Sequence, residues 1–236
     1  MRYMLFGQDY EKISITIGNI HILEPNVFIT DAIMSGISLL LSLYLYKNKN
    51  TTEFYRYWFL FFFVYGISSF AGGLGHALFY YLGIPGKIVT WISGIITIYF
   101  VERAMIAVIK EEKMYSLLKR LAFSKLIFVF AVFSLVCLTQ PLVEKPSIGF
   151  LPVAINTMLG LILSAGILAY RFSKNIHTDF KYFYYGVLIM LPSAIIFLAK
   201  INPHPWFDKN DLSHVFLTLG IIYFYKGAQK TKDLVR

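Results

Sequence analysis

The sequence predicts an all-α integral membrane protein, a bundle of seven transmembrane helices preceded by a small N-terminal β-hairpin. Three observations lead to this prediction. The 236 residues are 57% hydrophobic and only 15% charged, whereas soluble domains carry about 25% charged residues. Seven segments are apolar over roughly the 20 residues that a helix needs to cross a bilayer. The basic residues are also divided unequally between the two sides of these segments.

Residues 1–26 precede the first span and are expected to lie outside the cell. Residues 13–17 alternate between apolar and polar side chains, Gly18 and Asn19 follow, and residues 20–23 resume the alternation. This pattern is typical of a β-hairpin with a two-residue turn, which we expect to cover the outer mouth of the bundle. Charged residues among the first dozen interrupt any signal-peptide core, so the first span is expected to be retained.

The predicted spans are separated by short connections, which leave no room for a soluble domain. We therefore predict a single seven-helix membrane domain over residues 1–236, ending in a basic tail at 226–236. The only cysteine, Cys137, excludes an internal disulfide. The seven spans are predicted at about 27–46, 57–82, 88–109, 122–139, 149–170, 182–199 and 206–225.

The distribution of Lys and Arg predicts the orientation of the bundle. Six of the 22 basic residues fall on the side of the N-terminus, fifteen fall on the opposite side, and Arg103 lies inside the third span. The side rich in Lys and Arg is cytoplasmic by the positive-inside rule. The N-terminus is therefore expected outside and the C-terminus inside, in a multi-pass protein of the plasma (inner) membrane. Because topology accounts for the basic excess, no nucleic-acid partner is expected.

Four ionisable residues fall at a similar depth in the outer third of the predicted bundle, namely Asp31, His76, Asp211 and His214. Asp211 and His214 share a helix face because they are three residues apart. Ionisable groups inside a span are costly and often mark function. Imidazole and carboxylate ligands suit zinc. We therefore expect His76, Asp211 and His214 to hold zinc and Asp31 to orient or deprotonate a water.

Structural roles are open for the same side chains. A single histidine within a span more often packs through hydrogen bonds than binds a metal. Asp31 and Asp211 each lie near a helix start, where an aspartate caps free amides and suits the helix dipole. Toward the cytoplasmic end of the third span, we expect Arg103 to extend to the interface and Glu102 to pair within the bundle.

The combination of seven spans, His76 near the outer end of the second span and His214 at the start of the seventh resembles the superfamily of alkaline ceramidases and adiponectin/progestin receptors (CREST). The resemblance implies an intramembrane zinc held by one histidine of the second helix and an HxxxH pair of the seventh. It also implies a serine four residues before the first histidine, an aspartate on the third helix, and zinc-dependent hydrolysis of a lipid amide.

The sequence departs from the family pattern at several positions. Asn210 stands at the first histidine position of HxxxH, so Asp211 is expected to substitute as a ligand. Gly72 stands at the serine position, so Ser69 is expected to hydrogen-bond a developing oxyanion. The third span has no aspartate, and Asp31 is the acid expected to replace it.

The sequence leaves two other functions open. The same scaffold suits a lipid-binding sensor or receptor-like protein without turnover, in which the metal is structural or absent. It also suits a small proton-coupled transporter, in which buried acids and histidines relay protons. A membrane lipid is the expected substrate of a hydrolase and the expected ligand of a sensor.

Overall fold

The computed structural model describes residues 7–47, 52–232 and 234. Residues 1–6 of the predicted extracytoplasmic segment and residues 233, 235 and 236 of the predicted tail lie outside the described residues. Two strands come first, β1 (Ser14–Ile17) and β2 (Ile20–Leu23). Seven long helices follow, α1 (Pro25–Lys47), α2 (Glu53–Ala77), α3 (Phe79–Ile106), α4 (Glu112–Thr139), α5 (Pro146–Asn175), α6 (Lys181–Leu198) and α7 (Lys209–Lys230).

Six of these helices are long and apolar enough to cross a membrane, as a multi-pass membrane protein requires. The exception is α7, which has 22 residues and would extend over about 33 Å. Its first turn carries Lys209, Asn210 and Asp211, and its last two turns carry Lys226 and Lys230. These polar residues lower its mean hydropathy, so its length alone favours a span.

Several helix ends differ from the prediction. α2 ends at Ala77 and α3 begins at Phe79, whereas hydropathy predicts a second span to residue 82 and a third from residue 88. The apolar stretch between them contains a bend, because Gly83 adopts a φ of +54° and Pro85 cannot donate a backbone hydrogen bond. α4 begins ten residues before its predicted start, at Glu112. Its first turns carry several basic residues, so a hydropathy criterion does not include them in the span. Lys and Arg nevertheless have high helix propensity.

The predicted hairpin is confirmed. β1 and β2 pair antiparallel, with Ser14 opposite Leu23 and Ile17 opposite Ile20. The two-residue turn contains Gly18 at a φ of +59°, which a residue with a side chain rarely adopts and which the tight hairpin turn requires.

Two polar contacts show which helix ends lie next to one another. The Gln229 side chain near the end of α7 donates to the Tyr55 hydroxyl at the start of α2 over 3.0 Å. Arg103 at the end of α3 pairs with Glu53, also at the start of α2. We call this the basic end of the bundle. The opposite end, where the hairpin meets the start of α1, is called the hairpin end.

An aromatic core fixes α2, α6 and α7 close to the basic end. The rings of Trp58 and Phe183 stack with their centroids 4.8 Å apart, and Phe54 and Phe224 pack around them. All four side chains are buried. Apolar packing therefore holds the basic end together alongside the polar contacts of Gln229 and Arg103.

Candidate functional site

Four of the five predicted site residues come together at the hairpin end. Asp31 lies in the second turn of α1, His76 in the last turn of α2, and Asp211 and His214 in the first two turns of α7. α1 packs against both α2 and α7, so these side chains converge although they are distant along the chain.

Ser69 lies apart from this cluster. It is two turns before His76 on α2, or about 10 Å along the helix axis. It is buried, and its hydroxyl donates to the carbonyl oxygen of Tyr65 over 2.9 Å. The hydroxyl therefore completes a hydrogen bond within its own helix, and its predicted role toward an oxyanion stays a prediction.

A hydroxyl from α1 orients the imidazole of His214. Its Nδ1 lies 2.9 Å from Thr30 Oγ1, and that hydroxyl also lies 2.9 Å from Asp211 Oδ1. The carboxylate is the stronger acceptor for the hydroxyl proton, so the Thr30 oxygen accepts from the Nδ1–H of His214. His214 consequently presents the lone pair of Nε2 on its other side.

Asp211 caps the start of α7 with its side chain. Its second carboxylate oxygen accepts from the Asn26 side-chain amide over 2.7 Å and from the backbone amide of Asp208 over 3.0 Å. The Asp208 side chain accepts in turn from the Asp211 amide, which completes a capping box. Asp211 is fully buried, and both of its oxygens are engaged. The structure thus supports the capping role that the sequence leaves open for Asp211, and its role as a metal ligand stays a prediction.

Asp31 faces His214 from α1. Its Oδ1 lies 3.6 Å from His214 Nε2, and the residue is only 5% exposed. A lone pair and a carboxylate oxygen are both acceptors, so this pair is favourable only with a cation or a proton between them. Asp31 also packs against the glycines that precede His76. A Cβ atom added at Gly73 would lie 3.0 Å from the Cβ of Asp31.

Glu24 is a member of the cluster that sequence reasoning missed. It joins β2 to α1, and its carboxylate lies 2.9 Å from His76 Nδ1 and 2.8 Å from Lys12 Nζ. Its backbone amide donates to the carbonyl oxygen of Ile13, which extends the hairpin ladder by one bond. The hairpin therefore reaches the helical bundle through this carboxylate.

The Glu24 carboxylate is held ionised. Burial by itself would raise the pKa of this carboxyl group, but the hydrogen bond and charge of His76 and the charge of Lys12 outweigh burial and lower the pKa to about 2. Glu24 also adopts a φ of +49°, which is uncommon for a residue with a side chain. Its only sequence signal is an acid directly before Pro25, at the point where the hairpin ends and the first span begins.

The side chains whose donor atoms suit zinc in this cluster are His76, His214 and Asp31. The sequence predicts Asp211 in place of Asp31. His76 and His214 are each hydrogen-bonded through Nδ1, which leaves both Nε2 atoms without a hydrogen bond from the described residues, and Asp31 keeps its carboxylate. Metal-binding histidines characteristically use their second nitrogen in this way. Within residues 7–47, 52–232 and 234, no three His, Cys, Asp or Glu side chains are gathered tightly enough to hold a metal. The donor chemistry therefore fits zinc, although these side chains would have to move closer together to share one ion.

Glu102 and Arg103 lie at the other end of the molecule. Glu102 pairs with Lys125 of α4, which confirms the expected pairing within the bundle. The Arg103 side chain is buried against Glu53, the first residue of α2, and lies over the Tyr57 ring at 4.7 Å. Its expected reach to the membrane interface stays a prediction. Glu53 and the rings of Tyr57 and Tyr99 surround the guanidinium and take the place of hydrating water.

Comparisons with known proteins assign the chain to a family. Neither the curated proteins nor the solved structures gave a match to the chain. One protein-family model matches residues 26–233, which include all seven helices apart from Pro25 and every member of the cluster except Glu24. The chain therefore belongs to that family, DUF6962, whose function is unknown.

Proposed function

We propose that this protein is a zinc-dependent intramembrane hydrolase of a lipid amide, similar in type to the alkaline ceramidases. His76, His214 and Asp31 would hold the ion. Glu24 would orient His76, and Thr30, backed by Asp211, would orient His214. When bound, zinc would supply the Lewis acidity that activates water near neutral pH.

One observation supports this proposal above the others. Both imidazoles are hydrogen-bonded through Nδ1 to acidic or acid-linked partners, and His214 Nε2 faces the Asp31 carboxylate across 3.6 Å. Two acceptors at that separation need a positive charge between them. A divalent cation shared with His76 would meet this need.

The proposal includes an arrangement in the membrane. We propose that α7 is a seventh span, that the N-terminus lies outside the plasma membrane and that the C-terminus lies in the cytoplasm. The cluster would then lie in the outer leaflet beneath the hairpin, where a lipid could enter sideways between helices. The asymmetric distribution of Lys and Arg supports this orientation.

Elemental analysis of detergent-purified protein tests the proposal directly. We expect about one zinc per chain in the wild type, loss of zinc in His76→Ala, and retention in His177→Ala. His177 is a matched control because it is a histidine at the basic end, remote from the cluster. Stoichiometric zinc in His76→Ala would show that the site is assigned incorrectly. A wild type that binds zinc would then be tested for hydrolysis of lipid amides.

A second variant separates a metal site from a merely structural cluster. Thr30→Val preserves side-chain shape but removes the hydroxyl between His214 and Asp211. Removing such an orienting partner weakens metal binding by about 10–100-fold, so we expect a proportionate fall in zinc affinity. Thr139→Val is the control, because that hydroxyl donates to the Leu135 carbonyl oxygen and accepts from the Gln140 side chain, neither of which belongs to the cluster. Equal affinities in the two variants would contradict the proposed role of Thr30.

The two pairs of imidazole and carboxylate also favour a second candidate, a small proton-coupled transporter. A proton shared by Asp31 and His214 would satisfy the same two acceptors without a metal. Wild-type protein that binds no zinc but carries protons into dye-loaded vesicles, with loss of that activity in Asp31→Asn, would support this candidate over hydrolysis.

A further inference from the structure

A second polar site lies at the basic end, far from the cluster at the hairpin end. A cleft of about 420 Å³ opens between α3 and α4, and three cations line it, namely Arg103, Lys119 and Arg120. Serine hydroxyls at positions 116 and 124 line the same cleft. The cleft therefore combines positive charge with hydrogen-bond donors, which is the chemistry that recognises phosphate groups.

The residues on the α4 wall recur with helical spacing. Positions 116, 119, 120, 123 and 124 follow the three- and four-residue steps of one helix face. Lys119 and Arg120 are exposed within the described structure. They are therefore available to a ligand that enters the cleft.

Arg103 forms the inner wall of the cleft and is only 4% exposed. Two of its guanidinium nitrogens contact Glu53 and the Tyr99 hydroxyl. Its Nε is buried and has no hydrogen-bond partner in the described part of the chain. A buried donor without a partner is unfavourable, so an acceptor that reached it through the cleft would be stabilised.

The charges around the cleft do not balance. Glu53 contacts Arg103 with one carboxylate oxygen and accepts a hydrogen bond from the Tyr115 hydroxyl with the other. The neighbouring acid Glu102 is paired with Lys125. One carboxylate against three lining cations leaves an excess of positive charge that an anion would neutralise.

The position of α4 indicates a lipid as the source of that anion. Only Ala122 and Phe133 of its 28 residues are buried, so this helix lies at the periphery of the bundle. Leu117, Leu121 and Phe128 are exposed along it. A molecule with its phosphate in the cleft could therefore lay apolar chains against the same helix.

We propose that the cleft between α3 and α4 binds the phosphate headgroup of an anionic membrane lipid, through Arg103, Lys119 and Arg120. Basic pockets between transmembrane helices on the cytoplasmic side recognise such headgroups. This site is independent of the zinc site and of the activity proposed for it.

The test compares thermal unfolding of the full-length protein in detergent with three added probes. These are dioctanoyl phosphatidylglycerol, dioctanoyl phosphatidylcholine and inorganic phosphate. At about ten times its Kd, the anionic lipid is expected to raise Tm by about 3–5 °C. The other two probes are expected to leave Tm nearly unchanged.

Two double variants test whether the shift in Tm depends on the cleft itself. Lys119→Gln/Arg120→Gln should abolish the shift caused by phosphatidylglycerol. Arg171→Gln/Lys174→Gln should preserve it, because it removes the same charges from another exposed place at the basic end. The pairs are matched, since Lys119 lies 5.7 Å from the Tyr115 ring and Lys174 lies 5.6 Å from the Tyr170 ring.

Three outcomes would overturn the proposal. An equal shift with phosphatidylcholine would show that headgroup charge is irrelevant. An equal shift with inorganic phosphate would identify a free-anion site in place of a lipid site. Equal loss of the shift in both double variants would show general attraction to the basic end. Both variants change exposed side chains, and their Tm values without lipid would confirm that they fold.

Discussion

At the scale of single residues, Glu24 connects the hairpin to the helical bundle. Its carboxylate is 6% exposed and contacts both His76 and Lys12. Its backbone extends the hairpin ladder through Ile13 and accepts from the Phe28 amide in α1. A residue with so many contacts at a φ of +49° is held there by its surroundings. Glu24 therefore helps to hold the hairpin over the cluster, together with the Tyr81 hydroxyl that accepts from the His21 backbone amide.

We predict that Glu24→Gln lowers stability in a pH-dependent manner. The pKa of this carboxyl group is 4.5 when exposed and about 2 in the folded protein. Because the folded pKa is depressed, the stabilisation is complete above pH 4.5 and is lost as the pH falls toward 2. The shift corresponds to at most about 3 kcal/mol near neutral pH.

Thermal unfolding of wild type and variant between pH 6 and pH 3 measures this effect. The difference in Tm should narrow by more than half over that range, because the pKa difference contributes only about 40% of its full effect at pH 3. Glu11→Gln is the control, since Glu11 lies in the same segment but is exposed. A difference that stays constant with pH would argue against an ionised Glu24 in the folded state.

At the scale of elements, glycines let α2 approach its neighbours closely beside His76. A Cβ on Gly73 would lie 3.0 Å from the Phe28 ring and from the Asp31 Cβ of α1. A Cβ on Gly75 would lie 2.8 Å from the carbonyl oxygen of Gly86 in α3. Small residues at helix interfaces allow this approach in membrane proteins. At this point α2 therefore approaches α1 on one side and α3 on the other.

Gly75→Ala is predicted to destabilise the bundle. The Gly86 carbonyl oxygen belongs to the backbone, so no side-chain rotation can relieve the contact and α3 must shift. Overpacking of this kind costs about 1–3 kcal/mol. Gly36→Ala in α1 is the matched control, because its Cβ would meet nothing within 4 Å and alanine favours a helix by about 0.5–1 kcal/mol.

Thermal unfolding in one detergent compares these two variants. We expect Gly75→Ala to unfold at a lower temperature than wild type, and Gly36→Ala at an equal or higher one. A Gly75→Ala protein as stable as Gly36→Ala would mean that α2 and α3 do not approach as described.

At the scale of the whole molecule, the two ends differ in the polar side chains that they carry. The basic end combines an aromatic core with cations around Arg103. The hairpin end combines a second apolar cluster, which includes Trp91 and Leu142, with hydrogen bonds among buried polar side chains, including Thr30 and Asp211. This separation places the proposed zinc site and the proposed lipid site on opposite sides of the bundle. In the proposed orientation, one would face the outer leaflet and the other the inner leaflet.

Labelling with a membrane-impermeant maleimide tests that orientation. In a Cys137→Ala background, Asn19→Cys places a thiol in the hairpin turn, and Lys174→Cys places one at the basic end; both positions are exposed. Intact cells are expected to label Asn19→Cys, whereas Lys174→Cys should react only after permeabilisation. The reverse pattern would invert the orientation. Labelling of both in intact cells would indicate an even number of spans between them.

The sequence by itself determined the seven helices, the hairpin and the separation of basic residues from the polar cluster. These features follow from composition, periodicity and turn residues, which act over a few neighbouring positions. It also singled out Asp31, His76, Asp211 and His214 as one group. Its helix ends were less accurate, because hydropathy cannot detect the bend at Gly83 or the basic first turns of α4.

Only the tertiary structure decided how the cluster is connected. It placed Glu24 against His76, 52 residues away, and Thr30 against Asp211, 181 residues away. It assigned Asp211 to the capping box and left Ser69 bonded to its own helix. Such contacts depend on which helices pack side by side. The local sequence therefore cannot reveal these contacts, because the sequence around one residue of a pair does not specify the residue that it meets on another helix.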